Sequence, residues 1–533
     1  MVLFWHRKND QPEGREPPNH EDDDHQSFRP RVHHEPDERT RLLPRDNVAY
    51  LSPDDPAVSP YNLWSIRAFR GVSLLFLAIS FVWWTFLLVS LFVSLPTMYT
   101  RGSGFFGFSY ATLSVGYLLV GLLFFTVPSK PMTIWGSVLA VFLLADMCII
   151  LGVSHIRVEE GWVGIASVVW AAFISFYGIL QNRLVDWGKR KEEERLTGRE
   201  ETRRSLREWL AVLAQTPIMA ILAIVSILLT ATLILRAQDA SLPASGKQYY
   251  VNGDTNRVHL ACVGNNTVNN TADVPRQPTI LVEGGEGPVE HTLQPFMDDA
   301  YQNGTIDRYC YWDRPGFGWS DNAPSPYSAG MAADALSEAL ALSGEEGPWI
   351  IVSAGIGGIY SRIFASRHLP EINGIMFIDA LHEDCLEKIG SSGRGFLLWL
   401  RGIVSPLGLD RLAGALFRGR TREDRVFGRN AYQTGKFIKA KLQESLVARS
   451  LTASEIRTAR HVQMANTPLV VVSSGVEVRK DEKWARAQED LTTVTKNLRD
   501  WDIVQGAPHE VWKSMAGQAI LEKRLRQLVK VDR

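Results

Sequence analysis

Cysteine is scarce, with four in 533 residues. That excludes a disulfide-built scaffold, and no Cys-x-x-Cys or His-x-x-x-His spacing offers a zinc site. Neither a metal ion nor a cofactor is expected. An excess of one charge is missing as well. With 57 Lys and Arg against 58 Asp and Glu the formal net charge is -1, so there is no overall electrostatic case for nucleic acid, and no such partner is expected. The basic start Met1–Arg7 is not followed by an apolar core, so a cleavable secretory signal is not expected either. At roughly 150 residues per domain the chain has the length of three or four units. What it contains is unevenly spread: a polar head, a strongly apolar stretch from 71 to 236 and a mixed C-terminal half.

Residues 1–64 carry polar runs such as Glu21-Asp22-Asp23-Asp24 and His33-His34-Glu35-Pro36-Asp37-Glu38. Their few apolar side chains do not offset the entropy of ordering, which predicts a disordered tail. Within it, Glu38-Arg39-Thr40-Arg41-Leu42-Leu43 has the form of an acidic dileucine sorting signal, in which Leu42 and Leu43 fill an apolar pocket of a sorting adaptor. An unstructured tail accounts for the same residues. The His-rich segment is read as solvated chain rather than as a metal site.

Crossing the hydrocarbon core takes about 20 mostly apolar residues. Five segments, 72–95, 108–128, 132–153, 161–181 and 218–235, are long and apolar enough, so 65–240 is expected to be a membrane region with the lipid bilayer as its partner. Orientation follows from charge. Segment 182–217 carries Arg183, Lys189, Arg190, Lys191, Arg195, Arg199, Arg203, Arg204 and Arg207, whereas the turn 154–160 has only Arg157 beside Glu159 and Glu160. By the positive-inside rule 182–217 is cytosolic. Tracing back through Lys130, Arg70 and Arg67 makes the N-terminal tail cytosolic and places everything after Arg236 on the lumenal or extracellular side. Three Asn-x-Ser/Thr acceptors, at Asn265, Asn269 and Asn303, fall in that half, where glycosylation is available. The expected location is the endomembrane system, with vacuole and ER both open. Asp146 is the one acid well inside a span; it implies an interhelical hydrogen bond or an ion pathway.

From Gly246 onward short apolar runs alternate with helical stretches: Tyr249–Val251, Val258–Val263, Thr279–Glu283, Tyr309–Asp313, Trp349–Ser353, Gly374–Asp379, Pro468–Ser473 and Trp501–Val504. Such alternation predicts a mostly parallel α/β sheet, opened by an antiparallel hairpin where the first two runs have no helix between them. In order and spacing, Thr279-Ile-Leu-Val-Glu-Gly-Gly285, Tyr311-Trp-Asp-Arg-Pro-Gly-Phe-Gly-Trp-Ser-Asp321, Ile350-Ile-Val-Ser-Ala-Gly-Ile-Gly-Gly358, Ile375-Met-Phe-Ile-Asp-Ala380 and Gly506-Ala-Pro-His-Glu510 resemble the α/β-hydrolase family over 246–533. The whole layout is similar to a fungal family of multispanning membrane proteins of unassigned function. The expected architecture is therefore an α-helical membrane bundle of five transmembrane helices, followed by an α/β-hydrolase-type domain with a mostly parallel sheet and a helical lid.

The resemblance implies a Gly-x-Ser-x-Gly elbow holding the nucleophile. Here the segment is Ser353-Ala354-Gly355-Ile356-Gly357, and the nucleophile position is Gly355, the residue that takes a positive-φ turn at least cost. The same resemblance makes His509 the general base and Asp379 the orienting acid, with Glu477 or Asp481 as alternatives, and assigns the oxyanion N–H groups to Gly284 or Gly285 and to Ile356. Ser353 is the nearest hydroxyl, although strand alternation sends it into the sheet. In this fold the second and fourth strands are neighbours, which allows a disulfide between Cys262 and Cys310 unless alternation sets them on opposite faces. The insertion 384–465 corresponds to a lid; its apolar residues and Arg401, Arg411, Arg418, Arg420 and Arg422 suit a membrane surface and a lipid-like or small apolar ligand, or plain packing onto the core.

Three functions fit these residues. One is a pseudoenzyme that binds a ligand or partner in an inherited pocket; another is an esterase or lipase-type hydrolase with a displaced nucleophile or a water activated by His509; a third is a transporter or channel, resting on the spans and Asp146.

Overall fold

The computed structural model describes residues 61, 63–98, 100–198, 206–264, 278–462 and 466–530. The tail with Leu42 and Leu43, and the acceptors Asn265 and Asn269, lie outside the described residues.

Five long helices come first: α1 Trp64–Ser90, α2 Phe105–Leu123, α3 Lys130–Gly152, α4 Ser154–Thr197 and α5 Leu206–Asp239. Each is long and apolar enough to cross a membrane. The first lies earlier in the chain than the 72–95 expected. Residues 91–95 continue the apolar run but leave the helix, and Ser94 instead exchanges hydrogen bonds with Ser325, its N–H reaching the Ser325 carbonyl at 2.9 Å and its Oγ accepting from the Ser325 N–H at 2.6 Å. Hydropathy could not register that polar contact. The expected turn 154–160 is helical as well. Chain reversal takes place around Val153, and a kink follows at Gly161, whose φ of 60° and ψ of -167° suit glycine. The basic segment after 181 continues α4 as far as Thr197, with Arg190 paired to Asp186 one turn away.

Hydrogen bonds between apolar helices tie this bundle together, as expected where water is excluded. Trp83 Nε1 donates to Ser167 Oγ at 3.0 Å, Trp170 Nε1 to Ser80 Oγ at 2.8 Å, and Ser73 Oγ meets Tyr177 OH at 2.8 Å. Asp146 is fully buried and accepts from Tyr110 OH at 3.1 Å, which joins α3 to α2.

The C-terminal half forms an eight-stranded sheet: β1 Lys247–Val251, β2 Asn256–Val263, β3 Thr279–Glu283, β4 Tyr309–Asp313, β5 Trp349–Ala354, β6 Ile372–Ile378, β7 Pro468–Ser474 and β8 Asn497–Val504. The spatial order is β1-β2-β4-β3-β5-β6-β7-β8. Only the β1–β2 and β2–β4 pairs are antiparallel. This is an α/β-hydrolase-type sheet. Its central strands are buried on both faces, as parallel strands covered by helices must be. Ile351, Ile375 and Leu469 point to one layer, Ile350, Val352, Met376 and Val470 to the other. Helices α6 Gln294–Gln302, α7 Ala329–Ser343 and α8 Gly357–Arg367 precede the insertion.

The insertion folds as α9 Leu386–Ile389, α10 Ser392–Val404, α11 Leu409–Phe417, α12 Arg422–Val426, α13 Gly435–Val447 and α14 Ala453–His461. After it come α15 Gly475–Lys480, α16 Glu482–Leu491 and α17 Met515–Lys530. The lid packs on the core and also on the membrane helices. Gly402 abuts the Phe105 ring so closely that a Cβ there would come within 2.1 Å of it, and Gly408 abuts Thr232 in the same way at 2.2 Å. Lys439 Nζ donates to the Leu91 carbonyl. Phe396, Leu397, Leu416 and Phe417 remain exposed on the lid.

Cys262 and Cys310 are register partners on β2 and β4, and their sulfurs lie 2.06 Å apart. Directly opposite residues share a face of the sheet, so alternation brings these two together. Denatured, non-reduced protein should therefore show two free thiols, Cys148 and Cys385. Replacing both Cys262 and Cys310 by alanine should cost about 2–4 kcal/mol, measured by thermal unfolding; four reactive thiols would contradict the bridge.

Candidate functional site

β5 passes into α8 through Gly355 and Ile356. Gly355 has φ of +49°, the left-handed conformation in which a side chain is strained. A Cβ built there would have His509 Nε2 at 3.4 Å, Gly285 Cα at 3.6 Å and Glu286 Oε1 at 3.7 Å. The elbow, the turn after β3 and the loop after β8 thus converge on one point, and the residue at that point has no side chain. The close fit needed behind it is intact: a Cβ on Gly357 would come within 2.4 Å of the Gly284 carbonyl, and one on Gly358 within 2.6 Å of Ala380.

His509 Nδ1 and Asp379 Oδ2 are 2.6 Å apart. The acid is fixed from every side. Its Oδ1 accepts from the Ser474 N–H and from Trp484 Nε1, both at 3.0 Å, and its own N–H reaches the Val472 carbonyl at 2.7 Å. These bonds hold Asp379 at φ of 43°, an uncommon conformation that Asp tolerates better than most residues. Burial would lower the His509 imidazole, but the hydrogen bond and charge of Asp379, with Glu286 and Glu477 nearby, outweigh it and raise the pKa above the ordinary histidine value. Glu477 contributes through charge, while the hydrogen bond comes from Asp379.

Glu286 is the residue sequence reasoning missed. It follows Gly284 and Gly285 in the turn from which an oxyanion donor was expected. Lys441 Nζ on α13 lies 3.0 Å from its Oε2. Although the side chain is half exposed at the rim, the surrounding protein is dense. Burial would raise the carboxyl, but Lys441, Arg314 and His509 hold it down at about 2. A Gly-Gly-Glu-Gly turn after a strand carried the only signal. Arg314, from the Asp-Arg-Pro-Gly block, braces this turn: Nη1 donates to Glu283 Oε1 at 3.1 Å and to the Gly284 carbonyl at 2.8 Å, and Nη2 to the Gly285 carbonyl. Ile356 is the N-cap residue of α8, so its N–H belongs to the unpaired donors of a helix start.

The structure brings together Gly355, His509, Asp379, Gly285 and Ile356. Ser353 is elsewhere. It is fully buried inside β5, and its Oγ accepts from Ser361 Oγ at 2.9 Å. Beside the site, a cavity of about 980 Å³ reaches Glu286 and Trp484. Charged side chains such as Lys388, Arg394, Asp481, Lys483 and Asp490 line it together with Leu381, Ile389, Trp484 and Ala487. For a metal ion the residue types exist outside the His509 site. His259 Nδ1 lies 3.0 Å from Asp313 and 3.5 Å from Glu290, all buried, and His382 groups with Glu383 and Asp490.

Residues 38–262 match a family model described as a region of unknown function (DUF2417). An uncharacterized protein of Schizosaccharomyces pombe is 33% identical over 92% of this chain and 96% of its own length. An uncharacterized vacuolar membrane protein of Saccharomyces cerevisiae is 26% identical over 62% of this chain and 59% of its own length. Among solved structures, a putative ancestral haloalkane dehalogenase aligns with 54% of this chain and 99% of its own at 12% identity and a TM-score of 0.39. An enol-lactonase from Burkholderia xenovorans aligns with 53% of this chain at 14% identity and a TM-score of 0.37.

A raised histidine pKa stabilises the fold fully below the unfolded value of about 6.5, and the contribution is lost as pH rises through the folded value. The stability difference between wild type and His509→Gln should therefore be largest near pH 5–6 and shrink towards pH 9. Thermal unfolding across that range checks this; a difference that grows with pH would contradict the His509–Asp379 ion pair.

Proposed function

Because the chain belongs to the same family as the Schizosaccharomyces pombe protein, over a match that takes in membrane helices and C-terminal domain together, we propose that the two halves form one device: a membrane-anchored, hydrolase-like binding domain without hydrolase chemistry. One observation carries this. At the point where His509 Nε2 would take a proton from a nucleophile, Gly355 offers no oxygen, and a base with an oxyanion site but no attacking group forms no acyl-enzyme. Two further features agree. The anionic Glu286 beside the oxyanion turn opposes the negative charge that acyl transfer must develop there. The raised pKa of His509 keeps more of it as imidazolium, which cannot act as a base. The cavity beside Glu286, lined by charged and apolar side chains together, suits a ligand with both a polar and an apolar part.

A second activity has one observation in its favour, the intact His509–Asp379 pair at 2.6 Å: His509 acting on a water held between it and Glu286. A transporter has less support, since Asp146 is engaged by Tyr110 in a helix-to-helix hydrogen bond.

We also propose that the domain is lumenal, in the endomembrane system. The positive-inside bias, the Cys262–Cys310 pair and the exposed acceptor Asn303 support this orientation, and the vacuolar membrane relative supports that compartment.

Purified wild type should hydrolyse activated esters no faster than buffer and resist serine-directed probes. Gly355→Ser should gain weak probe labelling that His509→Ala abolishes, and should lose on the order of 1 kcal/mol of stability through the positive φ. Wild-type turnover lost in His509→Ala but kept in Ser353→Ala would replace binding with the activated-water reaction. For orientation, endoglycosidase should shift the mobility of the protein from cells, and the shift should become smaller in Asn303→Gln; cytosolic protease access to the C-terminal domain would reverse the topology.

A further inference from the structure

Where the lid meets the membrane helices there is a cavity of about 100 Å³, room for roughly three waters or one small oxyanion. Phe106, Arg236 and Asp239 reach it from α2 and α5, and Arg411, Arg425 and Lys436 from α11, α12 and α13. Its charges do not balance. Four cations are met by three carboxylates, since Arg236 takes Glu160 at 2.7 Å and Glu159 at 2.8 Å, and Lys436 shares Glu159 at 3.3 Å. His155 lies 3.8 Å from the same Glu159. The other side holds one acid for two guanidiniums: Asp239 accepts from Arg411 at 2.9 Å and from Arg425 Nε at 2.8 Å.

Arg411 is the underserved member. Its side chain is 7% exposed, and its Nε has no hydrogen-bond partner among the described residues. Burial lowers its pKa; Asp239 opposes that, but Arg236 and Arg425 add to it, and the group is pushed down to about 10. Removing a charge from water without a full set of partners is costly, and an added oxyanion, which a guanidinium holds with two parallel hydrogen bonds, relieves that cost.

We propose that this cavity binds a phosphate group, with Arg411 as its principal partner. Arg236 and Asp239 follow directly on the apolar part of α5, which ends at Leu235. That is the level at which lipid headgroups meet a spanning helix, so the phosphate is that of an anionic lipid or free inorganic phosphate. The site stands apart from Gly355 and does not depend on whether the elbow is catalytic.

The test uses the full chain. Thermal unfolding is followed in a zwitterionic detergent free of phosphate and sulfate, with and without inorganic phosphate, and in phosphatidylcholine discs with and without phosphatidic acid. Wild type should melt higher, on the order of 5 °C, with a saturating anion. A rise with both probes marks a site open to water, and a rise with phosphatidic acid alone marks a headgroup site. Arg411→Gln removes the surplus charge, so without anion it should melt at or above wild type, and it should lose the rise. A seam of simple salt bridges behaves oppositely, with Arg411→Gln melting lower and no rise in wild type. Should the glutamine variant not fold, Arg411→Lys keeps the charge without the planar fork and must show a reduced rise. No rise in wild type with either probe, or an undiminished rise in the Arg411 variant that folds, overturns the assignment.

Discussion

The buried guanidinium of Arg314 is the contact on which the site depends. It lies 5% exposed, and a desolvated cation must find partners on all sides or destabilise the fold. Arg314 finds them in four places, although its Nε has no hydrogen-bond partner among the described residues: Glu283 at the end of β3, the carbonyls of Gly284 and Gly285, the ring faces of Phe317 and Tyr360 at 4.8 and 4.5 Å, and Glu444 on the lid at 3.8 Å. One side chain thus fixes the turn, its distance from the elbow and the seat of the lid. Glu283, beneath it, is raised by burial to about 7 despite Arg314. The turn that carries Glu286 rests on this pair.

Around this frame the His509–Asp379 pair is held firmly, while the turn between β5 and α8 carries no side chain at Gly355. Asp379 is still held in a sparsely populated conformation by hydrogen bonds to both carboxylate oxygens, and such strain persists only where its surroundings impose it. Gly355, by contrast, sits in its left-handed turn with little strain. The Glu286 carboxylate, its pKa held down at about 2 and its position steadied by Lys441 from the lid, lies close to Gly355. Its negative charge favours a cationic or hydrogen-bond-donating neighbour there over an anionic one.

The lid connects the two halves of the chain. One side of the lid packs on the core of the C-terminal domain through Ile389, Ala448 and Ile456. Its other side is taken by Phe105, Thr232 and Asp239 of the membrane helices. Lys441 and Lys436, five residues apart on α13, reach Glu286 at the elbow and Glu159 in the membrane bundle respectively.

Much of this was legible in the residues. Five apolar stretches, eight strand-like runs and the opening hairpin follow from periodicity, length and local backbone preference, which act over a few neighbours and are written directly in the chain, while the place of the elbow at Gly355 came from the resemblance of its motif. The sequence by itself also determined that position 355 is a glycine and offers no side-chain oxygen. Element ends were less legible, as at Ser94 and at 154–160, because they are settled by partners far away in the chain. Only the tertiary structure decided that Asp379, rather than Glu477 or Asp481, bonds His509, that Ser353 is sealed inside the sheet, that Cys262 faces Cys310, and that Glu286 and Lys441 meet at the elbow. Each of these is a pairing across tens or hundreds of residues, fixed by sheet order and by the need of buried charges for partners, and no local pattern encodes it.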